Sequence, residues 1–154
     1  HQALHSFPTR RSSDLDEVVE SAKTAQAYDF ISKKELKFDE PIGEGGSNVS
    51  GGQKQRLSIA RALVRKPEIY IFDDSFSALD FKTDAILRAE LKKETADAIV
   101  LIVAQRIGSI MEADKIIVLD EGKVVGCGKH KELLKSCSVY KEIALSQLTE
   151  EELA

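Results

Sequence analysis

The sequence predicts an α/β layer fold, and three observations carry the prediction. Two short apolar runs, Ile69–Phe72 and the β-branched-rich Ile99–Val103, have the length and character of buried strands. Stretches of helical period lie before, between and after them. A hairpin signal, Asp120-Glu121-Gly122, separates two further apolar runs. Buried strands alternating with helices call for a sheet covered by helical layers.

Each element follows from its local pattern. Asp16–Ile31 places Val18, Val19, Ala22, Ala25 and Phe30 at roughly helical spacing. Ser32–Glu40 is polar and expected at the surface. Pro41–Gly52 holds five glycines in twelve residues, so it is read as a loop. From Gln53 the pattern turns helical, with Leu57, Ala60, Leu63 and Val64 on one face and Pro67 ending the run. Phe81–Glu94 is a second amphipathic helix, with Ile86, Leu87 and Leu91 expected inward. Ile107–Met111 is a short helix or turn. Lys115–Leu119 and Lys123–Val125 form the hairpin, and Lys131–Lys135 and Val139–Leu148 read as closing helices. Residues 149–154 form an acidic tail, expected to be a solvated end.

The N-terminus is set apart. His5–Leu15 reads HSFPTRRSSDL, which resembles one translated frame of a DNA sequencing adapter. The alternative is a basic N-terminal arm, carried by Arg10 and Arg11. Residues 1–15 are therefore excluded from the fold expectation, and the native chain is expected to continue upstream of Asp16.

Composition narrows the classes of function. Of 154 residues, 42% are hydrophobic and 31% charged, a globular balance that excludes a disordered tail or a collagen-like repeat. The longest apolar run, Ala98–Ala104, is seven residues, far short of the roughly 20 that a membrane-spanning helix needs. The net charge of −4 speaks against general nucleic-acid binding. Cys127 and Cys137 match no zinc spacing and are read as two reduced thiols.

Four short motifs carry the chemistry. Ser47-Asn48-Val49-Ser50-Gly51-Gly52-Gln53 leads directly into a helix. A helix start offers unpaired N–H groups and positive potential, and glycines let a phosphate reach that backbone. Alone, the run reads rather as a flexible linker. Ile69–Phe72 ends in Asp73 and Asp74. Carboxylates at a strand's carboxyl end suit Mg²⁺, commonly through its waters, though a solvated turn has the same look. Ser75-Phe76-Ser77-Ala78-Leu79-Asp80 precedes the next helix, which Asp80 could simply cap. Gln105 closes the next strand.

Order and spacing join the four. Asp73 follows Ser50 by 23 positions, and Gln105 follows Asp73 by 32. In this order they resemble the C-terminal half of an ATP-binding cassette (ABC) transporter ATPase, over about Asp16 to Leu148. Val49–Gln53 is similar to the signature motif, Ile69–Asp73 to Walker B and Ser77-Ala78-Leu79-Asp80 to the D-loop. Gln105 falls at the switch-histidine position. Gly43-Glu44-Gly45-Gly46 resembles the exporters' X-loop, which implies that Glu44 couples to the membrane domain. Val118–Gly126 and Gly128–Leu134 also look exporter-like, and His130 reads as a helix-start residue.

The resemblance implies a P-loop NTPase-like α/β domain, present in part: the signature helical portion and the C-terminal part of the sheet. It implies ATP and Mg²⁺ as cofactors, with Asp73 holding the metal through water. It further implies a second nucleotide-binding domain as head-to-tail partner, with Ser50, Gly51, Gly52 and Gln53 facing that partner's ATP. The place would be the cytoplasmic face of the cell membrane.

Two departures qualify the resemblance. The family's glutamate after Walker B, which polarises the attacking water, is Asp74 here, one methylene shorter. Gln105 replaces the histidine and cannot carry positive charge. Together they resemble the degenerate half of a heterodimeric exporter of small molecules, whose intact signature completes the partner's site. No Gly-x-x-x-x-Gly-Lys-Ser/Thr occurs, so the segment by itself is not expected to bind ATP usefully. The alternatives are a non-hydrolysing regulatory subunit and a soluble ABC protein acting on DNA or ribosomes.

Overall fold

The computed structural model describes residues 12–149 and 151–153. The chain forms two compact units that divide between Leu101 and Ile102. Residues 1–11, most of the adapter-like segment, lie outside the described residues; its last four begin the first helix.

The first unit contains α1 (Ser12–Thr24), α2 (Tyr28–Ser32), α3 (Gly51–Leu63), β1 (Ile69–Asp73), α4 (Phe81–Glu94) and the start of β2 (Ile99–Val103). α1 packs on α3 and α4. The stretch expected as one helix, Asp16–Ile31, is two. It breaks at Gln26, whose φ of 56° is left-handed. Arg56 of α3 donates to the Gln26 carbonyl at 2.7 Å, and its guanidinium lies 4.9 Å from the Phe30 ring centre. A contact made thirty residues away thus overrides a local period.

α4 runs over the residues expected, with Leu87 and Leu91 buried, but Ile86 is 41% exposed. One position along a helix is a rotation of about 100°, which carries Ile86 off the Leu87–Leu91 stripe. The expectation of buried strands is corrected as well. β1 alternates: Tyr70 and Phe72 are buried, while Ile69 and Ile71 are 56% and 66% exposed. β2 exposes Ile99, Leu101 and Val103. The two strands pair with each other, and among the described residues no third strand joins them. One face therefore lacks a covering layer.

The second unit holds β3 (Ile116–Asp120), β4 (Lys123–Gly128), α5 (His130–Ser136) and α6 (Ser138–Leu145). β3 and β4 form the expected antiparallel hairpin, with Leu119 opposite Val124 and Val118 opposite Gly126. Val125 is thus an extra residue, a bulge. Glu121 and Gly122 both have positive φ, 44° and 74°, the requirement of a two-residue hairpin turn that matches strand twist. Ile116 and Val118 face a core of Ile107, Leu133, Cys137, Tyr140 and Ala144.

Leu153 joins that core at 7% exposure, so the acidic tail is not wholly solvated. Thr149 N–H donates to Glu152 at 2.8 Å and turns the chain back. His130 opens α5 as expected and is buried, with Nδ1 2.8 Å from the Tyr140 hydroxyl. Burial pushes the Tyr140 hydroxyl pKa up. Cys127 is exposed and Cys137 buried, both free. Among the described residues no helix is long and apolar enough to cross a membrane, and no three or more His, Cys, Asp or Glu side chains gather into a metal-holding group.

Candidate functional site

The glycine-rich loop is held by a residue to which the sequence pattern assigns no role. Asn48 Oδ1 accepts Gly43 N–H at 2.9 Å, and its Nδ2 donates to the Pro41 carbonyl at 2.9 Å. These bonds close residues 41–48 into a turn that presents Glu44 to solvent. Gly45 and Gly46 both have positive φ there.

Ser50 then caps α3. Its hydroxyl accepts Gln53 N–H at 3.2 Å, and Gln53 Oε1 accepts Ser50 N–H at 3.0 Å. The reciprocal pair is a capping box. Gln53, expected to face a nucleotide, thereby has a second task in shaping the helix start. The Gly51 and Gly52 amides have no carbonyl four residues back within the helix, and the first turn carries no acidic side chain. The donor set suits an anion such as a phosphate group.

Gly52 answers a second demand. A Cβ there would stand 2.9 Å from the Ala78 carbonyl oxygen of the same chain. The start of α3 lies directly against the loop that follows β1. That loop is anchored by buried Phe76 and Leu79. Phe76 stands 5.6 Å from Phe72, and the Arg88 guanidinium, paired with Asp84 at 2.7 Å, lies 5.0 Å from the Phe76 ring centre. Asp80 caps α4: Oδ1 accepts Thr83 N–H at 2.9 Å and Oδ2 accepts the Thr83 hydroxyl at 2.6 Å. The hydroxyl bond, then the backbone bond, holds the Asp80 carboxyl below its ordinary value.

Asp73 and Asp74 sit at the carboxyl end of β1, both exposed. Exposed oxygen donors at that place suit a hydrated divalent cation. Asp74 has φ 46°, a left-handed conformation that aspartate tolerates better than most side chains. Gln55 of α3 meets this turn: Nε2 donates to the Asp74 carbonyl and to Ser77 Oγ, both at 3.0 Å, and Oε1 accepts Ala78 N–H at 3.0 Å.

Gln105 belongs to the second unit and is exposed. Its carbonyl accepts from Gln147 Nε2 at 2.8 Å, while Gln147 Oε1 accepts Ile107 N–H at 2.9 Å. The first unit therefore brings together Ser50, Gly51, Gly52, Gln53, Asp73, Asp74 and Ser77–Asp80. Gln105 is shaped separately within the second. The tasks of Asn48, Gln55 and Gln147 are silent in the sequence, because a polar residue on a loop or helix gives no periodic signal.

The family model described as "ABC transporter" matches residues 1–77, half of the chain. An uncharacterized ABC transporter ATP-binding protein of Mycobacterium tuberculosis is 47% identical over 131 residues, covering 85% of this chain and 22% of that protein. The leukotoxin export ATP-binding protein LtxB of Aggregatibacter actinomycetemcomitans is 43% identical over 127 residues, covering 82% and 18%. The structure of a bacterial Atm1-family ABC exporter with ATP bound superposes with a TM-score of 0.85 at 35% identity, covering 92% of this chain and 25% of that one. The chain thus spans about a fifth to a quarter of the length of these relatives.

Proposed function

The chain belongs to the ABC transporter family, and from that premise we propose that it is part of the ATPase of a heterodimeric exporter whose own hydrolytic site is degenerate. In this reading the segment couples ATP binding and hydrolysis to export of small molecules across the cell membrane, at its cytoplasmic face. Its partners are a second nucleotide-binding domain and a membrane domain, the latter met through Glu44. The observation that carries the proposal is that Asp74 and Gln105 stand in a chain that keeps an intact, capped Ser50–Gln53 turn.

Each residue then has a physical task. Ser50, Gly51 and Gly52 offer a hydroxyl and backbone N–H groups to the phosphates of ATP held by the partner. Gln53 keeps that turn in shape and stands beside the same nucleotide. Ser77, Ala78, Leu79 and Asp80 form the loop between this turn and Asp74. Asp73 would hold Mg²⁺ through water, and the ion would supply charge neutralisation for phosphoryl transfer when bound. Asp74 stands where a base orients water, but its carboxylate falls about one methylene short. A misplacement of about 1 Å costs on the order of 100-fold in rate. Gln105 can donate a hydrogen bond to developing phosphoryl charge, but it adds no positive charge. ATP turnover therefore runs mainly in the site that this chain completes for its partner.

The test is Asp74→Glu in the full-length assembled pair. The ATPase rate of the pair is expected to rise, by up to about twofold, as a second site becomes competent beside the partner's. An unchanged rate would abolish the degenerate-site reading. ATP binding with no turnover in either form would favour the regulatory subunit instead.

A further inference from the structure

The Gln55 side chain ties the helix of the Ser50–Gln53 turn to the Asp74 turn by hydrogen bonds. It projects from α3 just after the Ser50–Gln53 turn and is half-buried. Its amide group satisfies the Asp74 carbonyl, the Ser77 hydroxyl and the Ala78 N–H at once, each at 3.0 Å. Ser77 Oγ reaches the same Asp74 carbonyl at 3.1 Å, so the turn has two side-chain donors on one oxygen. The conformation they hold is a demanding one. At φ 46° an aspartate sits in a conformation that it tolerates at some cost, which these bonds offset. The 2.9 Å approach of a Gly52 Cβ position to the Ala78 carbonyl shows the same two segments in direct contact.

We infer that Gln55 is a positioning residue: it fixes the Asp74 turn against the helix that begins with the Ser50–Gln53 turn, so that the two move as one piece. The inference rests on the reading of Asp74 as the water-orienting position. Gln55 touches no reacting atom; it acts through the direction it gives the residue-74 side chain. Glutamate at 55 would keep the shape and the acceptor for Ala78 N–H. It would lose both N–H donors, to Asp74 and to Ser77.

The experiment is a double-mutant cycle on the full-length exporter with its partner, comparing Gln55→Glu, Asp74→Glu and the double variant. The gain in kcat from Asp74→Glu, at most about twofold in the pair, is expected to be lost when residue 55 is glutamate. The KM for ATP and the thermal midpoint should stay in place. An equal gain in both backgrounds, or a change confined to KM, overturns the inference. If Asp74→Glu alone brings no gain, the degenerate-site reading fails, and amide exchange in Gln55→Ala decides instead. Faster exchange at Ala78 and its neighbours, with the rest of α3 unchanged, supports the positioning role. Unchanged exchange there ends it.

Discussion

Gly51 and Gly52 look interchangeable in sequence, yet their surroundings separate them. A Cβ on Gly51 meets only the Ala78 Cβ, at an ordinary 3.6 Å. A Cβ on Gly52 meets a backbone carbonyl at 2.9 Å, which cannot swing aside. Gly51→Ala is therefore expected to leave stability nearly intact while obstructing approach of an anion to the helix start. Gly52→Ala should cost a further ~1–3 kcal/mol through overpacking. Thermal unfolding and ATPase assays of the full-length pair, run on both variants, test the distinction; equal melting curves for the two would refute it. Ser50→Ala belongs with them, since loss of the cap costs about 1 kcal/mol. Gln147 offers a similar contrast in the second unit. Gln147→Ala should speed exchange of the Ile107 amide, to which it is bonded at 2.9 Å, and leave the hairpin amides alone.

At the scale of elements, the hairpin and α4 make the sharpest predictions. Gly126 sits opposite Val118 in β4, and a Cβ there would approach Cys137 Sγ to 2.9 Å and Leu133 Cδ2 to 3.1 Å. Gly126→Ala should lower stability by about 1–3 kcal/mol, and Gly126→Ala with Cys137→Ala should recover part of it in denaturant titration. α4 starts on Asp80, whose carboxyl is held below its ordinary value by Thr83. A lowered folded-state value means the cap's contribution is complete above the ordinary 3.8 and is lost as pH falls through the lower folded value. Exchange at the Thr83 amide should rise across that acid window in the native chain and show no such step in Asp80→Asn. Elements whose signals are local were legible in the sequence: α4 with its aspartate cap, the Glu121-Gly122 turn, the helix after Ser50. The break at Gln26 was not, because Arg56 imposes it from another helix. Nor were the roles of Gln55 and Gln147, which bond to backbone 19 and 42 positions away.

At the scale of the whole molecule, composition and motif order were enough to read an α/β domain and its family. Strand burial was not legible, because a run such as Ile69–Phe72 looks the same whether one face is covered or two. Ile69, Ile71, Ile99 and Leu101 stand 50–66% exposed on the two-stranded sheet. Produced by itself, the chain should therefore self-associate, and light scattering across a concentration series would show growth that Ile71→Lys suppresses. Concentration-independent scattering from the unaltered chain would contradict this. The same bare pair of strands has a consequence for biogenesis. Unpaired edges flanked by isoleucine and valine are templates for strand addition. While those faces are bare, they are where a holdase chaperone would bind. The rate at which the sheet is covered would then set how much of the newly made protein escapes degradation.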